Sequence, residues 1–207
     1  NPTTGDQRVS GTFASLAGVE AALADGDPDA LSRAIERIVL GHALIMGWDG
    51  VPLLYMGDEI GLRNDHGYLA DPDRAADSRW LHRPRMDWAA AERRHDQATV
   101  EGRIFRGLRG LVDARRETPQ LAASAPLTTI DGLDARVFGF VREHPIGPLV
   151  ALHDFADVDV NVDQADLPAS SAEVWMDLLR GTRFASGEPI VVPARGVVWL
   201  VDAGGTP

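Results

Sequence analysis

The chain has 207 residues, 44% of them apolar, and a formal net charge of −11. It can bury a core, and its acidic balance argues against nucleic acid and anionic membranes as partners. All twenty basic side chains are arginine, and the lack of cysteine removes disulfides, thiolate metal sites and cysteine nucleophiles.

Residues 1–17 are polar and glycine-rich and read as a loop, and the start, Asn1-Pro2-Thr3-Thr4-Gly5, looks like the interior of one. A helix follows, with Asp27 as N-cap and Pro28 at its first position. Leu31, Ile35, Ile38, Val39, His42 and Ile45 recur at helical spacing and predict one buried stripe, which Gly47 and Gly50 end. Val51–Met56 is a short continuous apolar run that predicts a strand covered on both faces, as in a parallel sheet. Residues 57–96 form a long loop rich in Asp, Arg and His, a length uncommon without function or local structure of its own. A second amphipathic helix is expected from about Thr99 to Glu117, with Val100, Ile104, Leu108, Leu111 and Val112 as its apolar stripe and Pro119 as its stop. Its glycines, Gly102, Gly107 and Gly110, each cost roughly 1 kcal/mol in a helix interior, so tertiary packing must hold it. Beyond Pro119 six short β-rich runs alternate with turns: Ala135–Val141, Pro148–Asp154, Val158–Val162, Glu173–Leu178, Pro189–Val192 and Val197–Val201. They read as an antiparallel Greek-key sandwich, with a boundary near Pro119–Leu121. No apolar run approaches the ~18 residues of a membrane span. No signal peptide is visible, which leaves cytoplasmic and secreted locations open.

Several clusters are candidates for chemistry. Gly57-Asp58-Glu59-Ile60-Gly61 follows the expected strand, where acids either hold a sugar hydroxyl or satisfy local donors; Glu59 leans to the second role. Arg79 is either a fork that pairs a carboxylate and presents an edge to sugar hydroxyls, or a surface ion pair of little worth. The His82-Arg83-Pro84-Arg85 run has the same two readings. Trp80 and Trp88 suit stacking on sugar faces, although indoles more often fill cores. Asp65, Asp71, Asp73 and Asp77 miss the EF-hand spacing, and the scattered histidines contain no HExxH, so neither calcium nor zinc is expected. No GxSxG elbow or phosphate-binding glycine loop occurs. Residues 1–12, with Asp6, Arg8 and several hydroxyls, suit either a polyol-lined cleft or an ordinary surface loop.

Gly50-Val51-Pro52 through Gly57-Asp58-Glu59 resembles the eighth barrel strand of the α-amylase family of glycoside hydrolases and transglycosylases. Within that family, residues 1–12 and Asp77-Ser78-Arg79-Trp80-Leu81-His82-Arg83-Pro84-Arg85 resemble the amylosucrases. The resemblance implies an α/β fold: the C-terminal part of a (β/α)8 TIM barrel over residues 1–120, then an all-β antiparallel sandwich domain over residues 121–207. It implies a retaining enzyme that cleaves sucrose, releases fructose and passes glucose to an α-glucan acceptor. A sucrose hydrolase, or another α-glucosidase or glucosyltransferase of the family, is the alternative within it, and a non-catalytic carbohydrate-binding module the alternative outside it. By the resemblance, the catalytic carboxylates lie in an N-terminal remainder of the same enzyme. Arg79 matches an arginine that pairs with an aspartate at the pocket floor, and Arg8 matches an arginine of the acceptor channel. No cofactor or metal is implied, and a homodimer is compatible with it. Asp65-His66-Gly67-Tyr68, Leu81 and Met86-Asp87-Trp88 depart from the amylosucrase pattern and bear on acceptor preference.

Overall fold

The computed structural model describes residues 9–168 and 172–204. The chain divides into two compact units. The first holds the described residues up to Ile38 and Leu54–Arg106; the second holds Val39–Leu53 and the described residues from Gly107 onward.

The first unit is helical and irregular. Helix α1 is Phe13–Ala17 and α2 is Val19–Asp25, so the loop expected over residues 1–17 gives way to helix at Phe13. The cause is local. The Thr12 hydroxyl accepts the Ser15 N–H at 3.3 Å, and Gly18, at φ 106°, closes α1 and opens α2 in a conformation that a side chain would resist. Asp27 opens α3, Pro28–Gly47, by accepting the N–H groups of Asp29 and Ala30 at 2.9 Å each. Ala34, Ile35 and Ile38 bury the near half of that helix. The segment after Met56 is a series of 3₁₀ turns, Asp58–Ile60, His66–Ala70 and Ser78–His82. It leads into helix α4, Trp88–Glu92, and the first half of α5, Val100–Glu117. A Cβ on Gly61 would come 2.4 Å from Ile104 Cδ1, so the first turn lies directly on a fully buried α5 side chain.

The second unit is built on antiparallel sheets. Strands β1 Leu127–Ile130, β2 Val137–Arg142, β3 Leu149–Asp154, β5 Val174–Asp177, β6 Arg183–Ala185 and β8 Val197–Asp202 form one sheet in the order β1-β2-β3-β8-β5-β6. Strands β4 Val160–Val162 and β7 Ile190–Val192 form a second. Val141, Val150, Leu152, Trp175, Val198 and Leu200 from the large sheet share one apolar cluster with Val160, Val162, Ile190 and Val192 from the small one. The opposite face of the large sheet carries Phe140, Ala151 and Trp199 in cross-strand register, all fully buried. The end of α3 seats on that face: a Cβ on Gly47 would lie 2.9 Å from Phe140 Cζ.

Each expected β-run overlaps a strand, but β1 and β6 were not anticipated; both are short edge strands that pair on one side only. Two expectations are corrected. Val51–Met56 forms no strand, and Val51, Leu53 and Tyr55 are 87%, 79% and 52% exposed instead of buried. A continuous apolar run specifies a parallel strand only where neighbouring strands exist to pair with it, and the sheets among the described residues do not include it. Ile45, expected in the buried stripe of α3, is 37% exposed, whereas Ala43 and Met46 are buried in its place.

Candidate functional site

The polar loop of the first unit carries most of the residues that the sequence singles out. Its aspartates set its shape. Asp65 accepts the Gly67 N–H, Asp71 that of Asp73 and Asp77 that of Arg79, each at 3.0 Å; Asp87 accepts that of Ala90 at 2.9 Å. Short carboxylates capping successive turns explain the density of Asp. Three of the four residues weighed for calcium, Asp65, Asp71 and Asp77, cap their own turns, and the fourth, Asp73, donates its N–H to Asp71. No three His, Asp or Glu side chains among the described residues converge on a metal position. The turns are tied together by the Asp65 N–H donating to Leu81 O at 2.8 Å.

Asn64 anchors this loop to α1 and α2. Its Oδ1 accepts the Thr12 N–H at 2.8 Å, its Nδ2 donates to Glu20 at 3.1 Å, and its own N–H donates to Ser15 Oγ at 3.1 Å. Glu20 also meets His66 at 3.4 Å. No periodicity or motif marks Asn64 or Glu20 in the sequence, because their role depends on contacts more than 40 residues apart in the chain.

An open cleft of about 570 Å³ lies along the loop, lined by Arg63, Asn64, Asp65, Tyr68, Asp71, Arg74, Arg85 and Asp87 among others. Three guanidiniums alternate there with three carboxylates and a phenol, a set that offers both donors and acceptors to a polyol. A smaller cavity of about 260 Å³ shares Leu62 and Pro84 with it. It is lined by Thr12, Tyr55, Met56, Asp58 and His82 and is mostly apolar. Arg85, singled out in the His82–Arg85 run, reaches the larger cleft, and His82 the smaller.

Arg79 sits on the Ser78–His82 turn and lines neither cavity. Its Nε donates to Asp77 Oδ1 at 2.9 Å and its Nη2 to Asp77 Oδ2 at 2.8 Å, so one edge of the fork is occupied by a carboxylate two residues earlier. The Arg79 guanidinium in turn holds the Asp77 carboxyl down at about 2. Arg8, the other candidate binding residue, lies outside the described residues. Glu59 accepts the Gly57 N–H at 2.8 Å and so closes its own turn, the structural role towards which it leaned. Trp80 is half-buried with the Arg74 guanidinium 4.6 Å from its ring centre, whereas Trp88 is 73% exposed.

No family model matches the chain. Solved structures do. AmyP in complex with maltose superposes with a TM-score of 0.62 at 20% identity, over 86% of this chain and 37% of that one. A trehalulose synthase variant in complex with Tris gives 0.58 at 16%, over 80% and 38%, and the acarbose-complexed α-amylase from Geobacillus thermoleovorans gives 0.55 at 19%, over 84% and 36%. The chain therefore shares its fold with part of each of these proteins, and spans well under half the length of each.

Proposed function

We propose that this chain is the C-terminal portion of a retaining α-glucosyl enzyme of the amylosucrase type. In this reading residues 1–120 complete a (β/α)8 barrel and residues 121–207 form its C-terminal β-sandwich domain. The observation that carries it is the Val51–Met56 segment: apolar throughout, with Val51, Leu53, Tyr55 and Met56 exposed, it leads into the arginine- and aspartate-lined loop. A barrel strand deprived of its neighbours has this character, and barrel loops at the C-terminal ends of strands build active sites. The fold likeness to amylases and a trehalulose synthase supports the same family.

The chemistry then follows from two carboxylates ~5 Å apart, supplied by the rest of the enzyme. One displaces fructose from sucrose to form a glucosyl-enzyme. The other protonates the departing fructose and then deprotonates the acceptor, a glucan hydroxyl or water. This chain's part is to hold the sugar. Asp77 takes the Nε/Nη2 edge of Arg79, which leaves the Nη1 side to face a second carboxylate at the pocket floor. Arg8 would line the acceptor channel. The test is substitution in the intact enzyme. Arg79→Ala is expected to abolish nearly all sucrose turnover, and Asp77→Asn, which loosens the fork without removing it, to reduce turnover less. Arg8→Ala should shift glucan against free glucose at little cost in total turnover. Unchanged sucrose turnover in Arg79→Ala would refute the pocket-floor role.

A further inference from the structure

His153 lies on β3 in the second unit, fully buried. Its register partners are Phe138 on β2 and Val197 on β8. Its ring lies nearly flat on Phe140, with centroids 5.4 Å apart and planes 22° from parallel, and 6.5 Å from Phe138. Trp48, just past the end of α3, stacks on Phe138 at 5.9 Å and meets Phe140 edge-on at 5.2 Å. Gly47 brings the helix backbone against the same Phe140 ring. The imidazole is therefore one layer of an aromatic stack on which the end of α3 rests.

Neither ring nitrogen has a hydrogen-bond partner; the backbones of Phe138 and Ala43 are near without forming a well-shaped bond. The charged and titratable groups on the surrounding elements do not compensate a cation there. Arg142, on the same face of β2, is committed to three carbonyls. Asp154 alternates to the opposite face of β3, pairing with Val137. Asp49 and Asp202 are exposed at the ends of their elements, and His42 on α3 is a second buried imidazole without negative charge. Attraction to the Phe140 face and the nearby backbone of Phe138 and Ala43 offset part of the cost of charging the ring, but burial without a carboxylate partner disfavours the cation overall.

We propose that His153 is an acid-sensitive seat for the C-terminal end of α3: neutral, it completes the aromatic stack, and once protonated it forces the helix end off the sheet. Burial accordingly pulls the imidazole down from 6.5 to about 4. The sign is set by the unfolded or unseated chain, which takes up the proton first. The seat is at full strength above about pH 6.5 and weakens as pH falls from there to about 4.

The test is carried out on the intact protein between pH 8 and 4. Imidazole titration by NMR should show His153 unprotonated well below pH 6. Amide exchange over Ala43–Gly47, corrected for intrinsic rates, should accelerate by up to about tenfold per pH unit below 6.5. His153→Phe should abolish that acceleration while Trp48 fluorescence at neutral pH stays as in the parent. A His153 that titrates near 6.5 while the helix end stays protected overturns the proposal. So does acid loosening of equal size in His153→Phe, which would assign it to another group. If the Phe variant fails to fold, the titration and exchange of the parent decide alone.

Discussion

Arg142 is the residue whose loss the second unit should feel most. It is fully buried, forms no ion pair among the described residues, and donates to Gly47 O at 3.0 Å, Ala122 O at 2.6 Å and Ala125 O at 2.9 Å. It thus satisfies the last carbonyl of α3 and two carbonyls of the segment that enters the sheet. Arg115 adds donors to Met46 O and Gly50 O at the same helix end. Arg142→Met keeps much of the volume but strands the carbonyls, and should cost about 3 kcal/mol in denaturant unfolding. A loss below about 1 kcal/mol would mean that water replaces the guanidinium. Asn64→Ala should instead loosen the polar loop, seen as faster proteolysis within residues 65–85, with the sheet unaffected. In the sequence neither residue stands out. An arginine just past a β-run reads as a surface charge, and an asparagine between Arg63 and Asp65 reads as part of a solvated loop. Arg79 was singled out because its neighbours form a recognisable motif, but nothing in the sequence marked its pairing with Asp77 across a turn.

At the scale of elements, α5 offers a controlled contrast. A Cβ on Gly107 would come 2.6 Å from Val39 Cγ2, and one on Gly110 meets nothing within 4 Å. Both positions are helical, so Ala is favoured by roughly 0.5–1 kcal/mol where space allows. Gly110→Ala should therefore raise stability by about that amount. Gly107→Ala should lower it by 1 kcal/mol or more as α3 is pushed away. Opposite signs in thermal melts check the packing; equal effects would contradict it. The long helices were readable from their stripes and caps, since Asp27 and Pro28 are local signals. The core β-runs were readable because β3 is buried throughout, β2 nearly so, and β8 from Val197 to Leu200. The five-residue α1 was not, because one cap and one left-handed glycine outweigh composition there. Val51–Met56 shows the opposite failure: its composition describes a strand, but strand pairing is a property of neighbours.

At the scale of the whole molecule, the proposed reading has the exposed Val51, Leu53, Tyr55 and Met56 bind a hydrophobic dye when this chain is prepared alone, and lose that binding when the remainder of the proposed barrel is present. Trp175 and Trp199 of the sheets, at 1% and 0% exposed, offer no platform for a sugar face. The central claim is that this chain belongs to an enzyme that moves glucose from sucrose to a glucan. The direct measurement is to incubate the intact enzyme with sucrose and quantify fructose, free glucose and glucan by chromatography. The account predicts fructose well in excess of glucose, with the difference recovered as α-1,4-glucan. Equal fructose and glucose would make the enzyme a sucrose hydrolase, and no fructose from folded, intact enzyme would contradict sucrose as the donor.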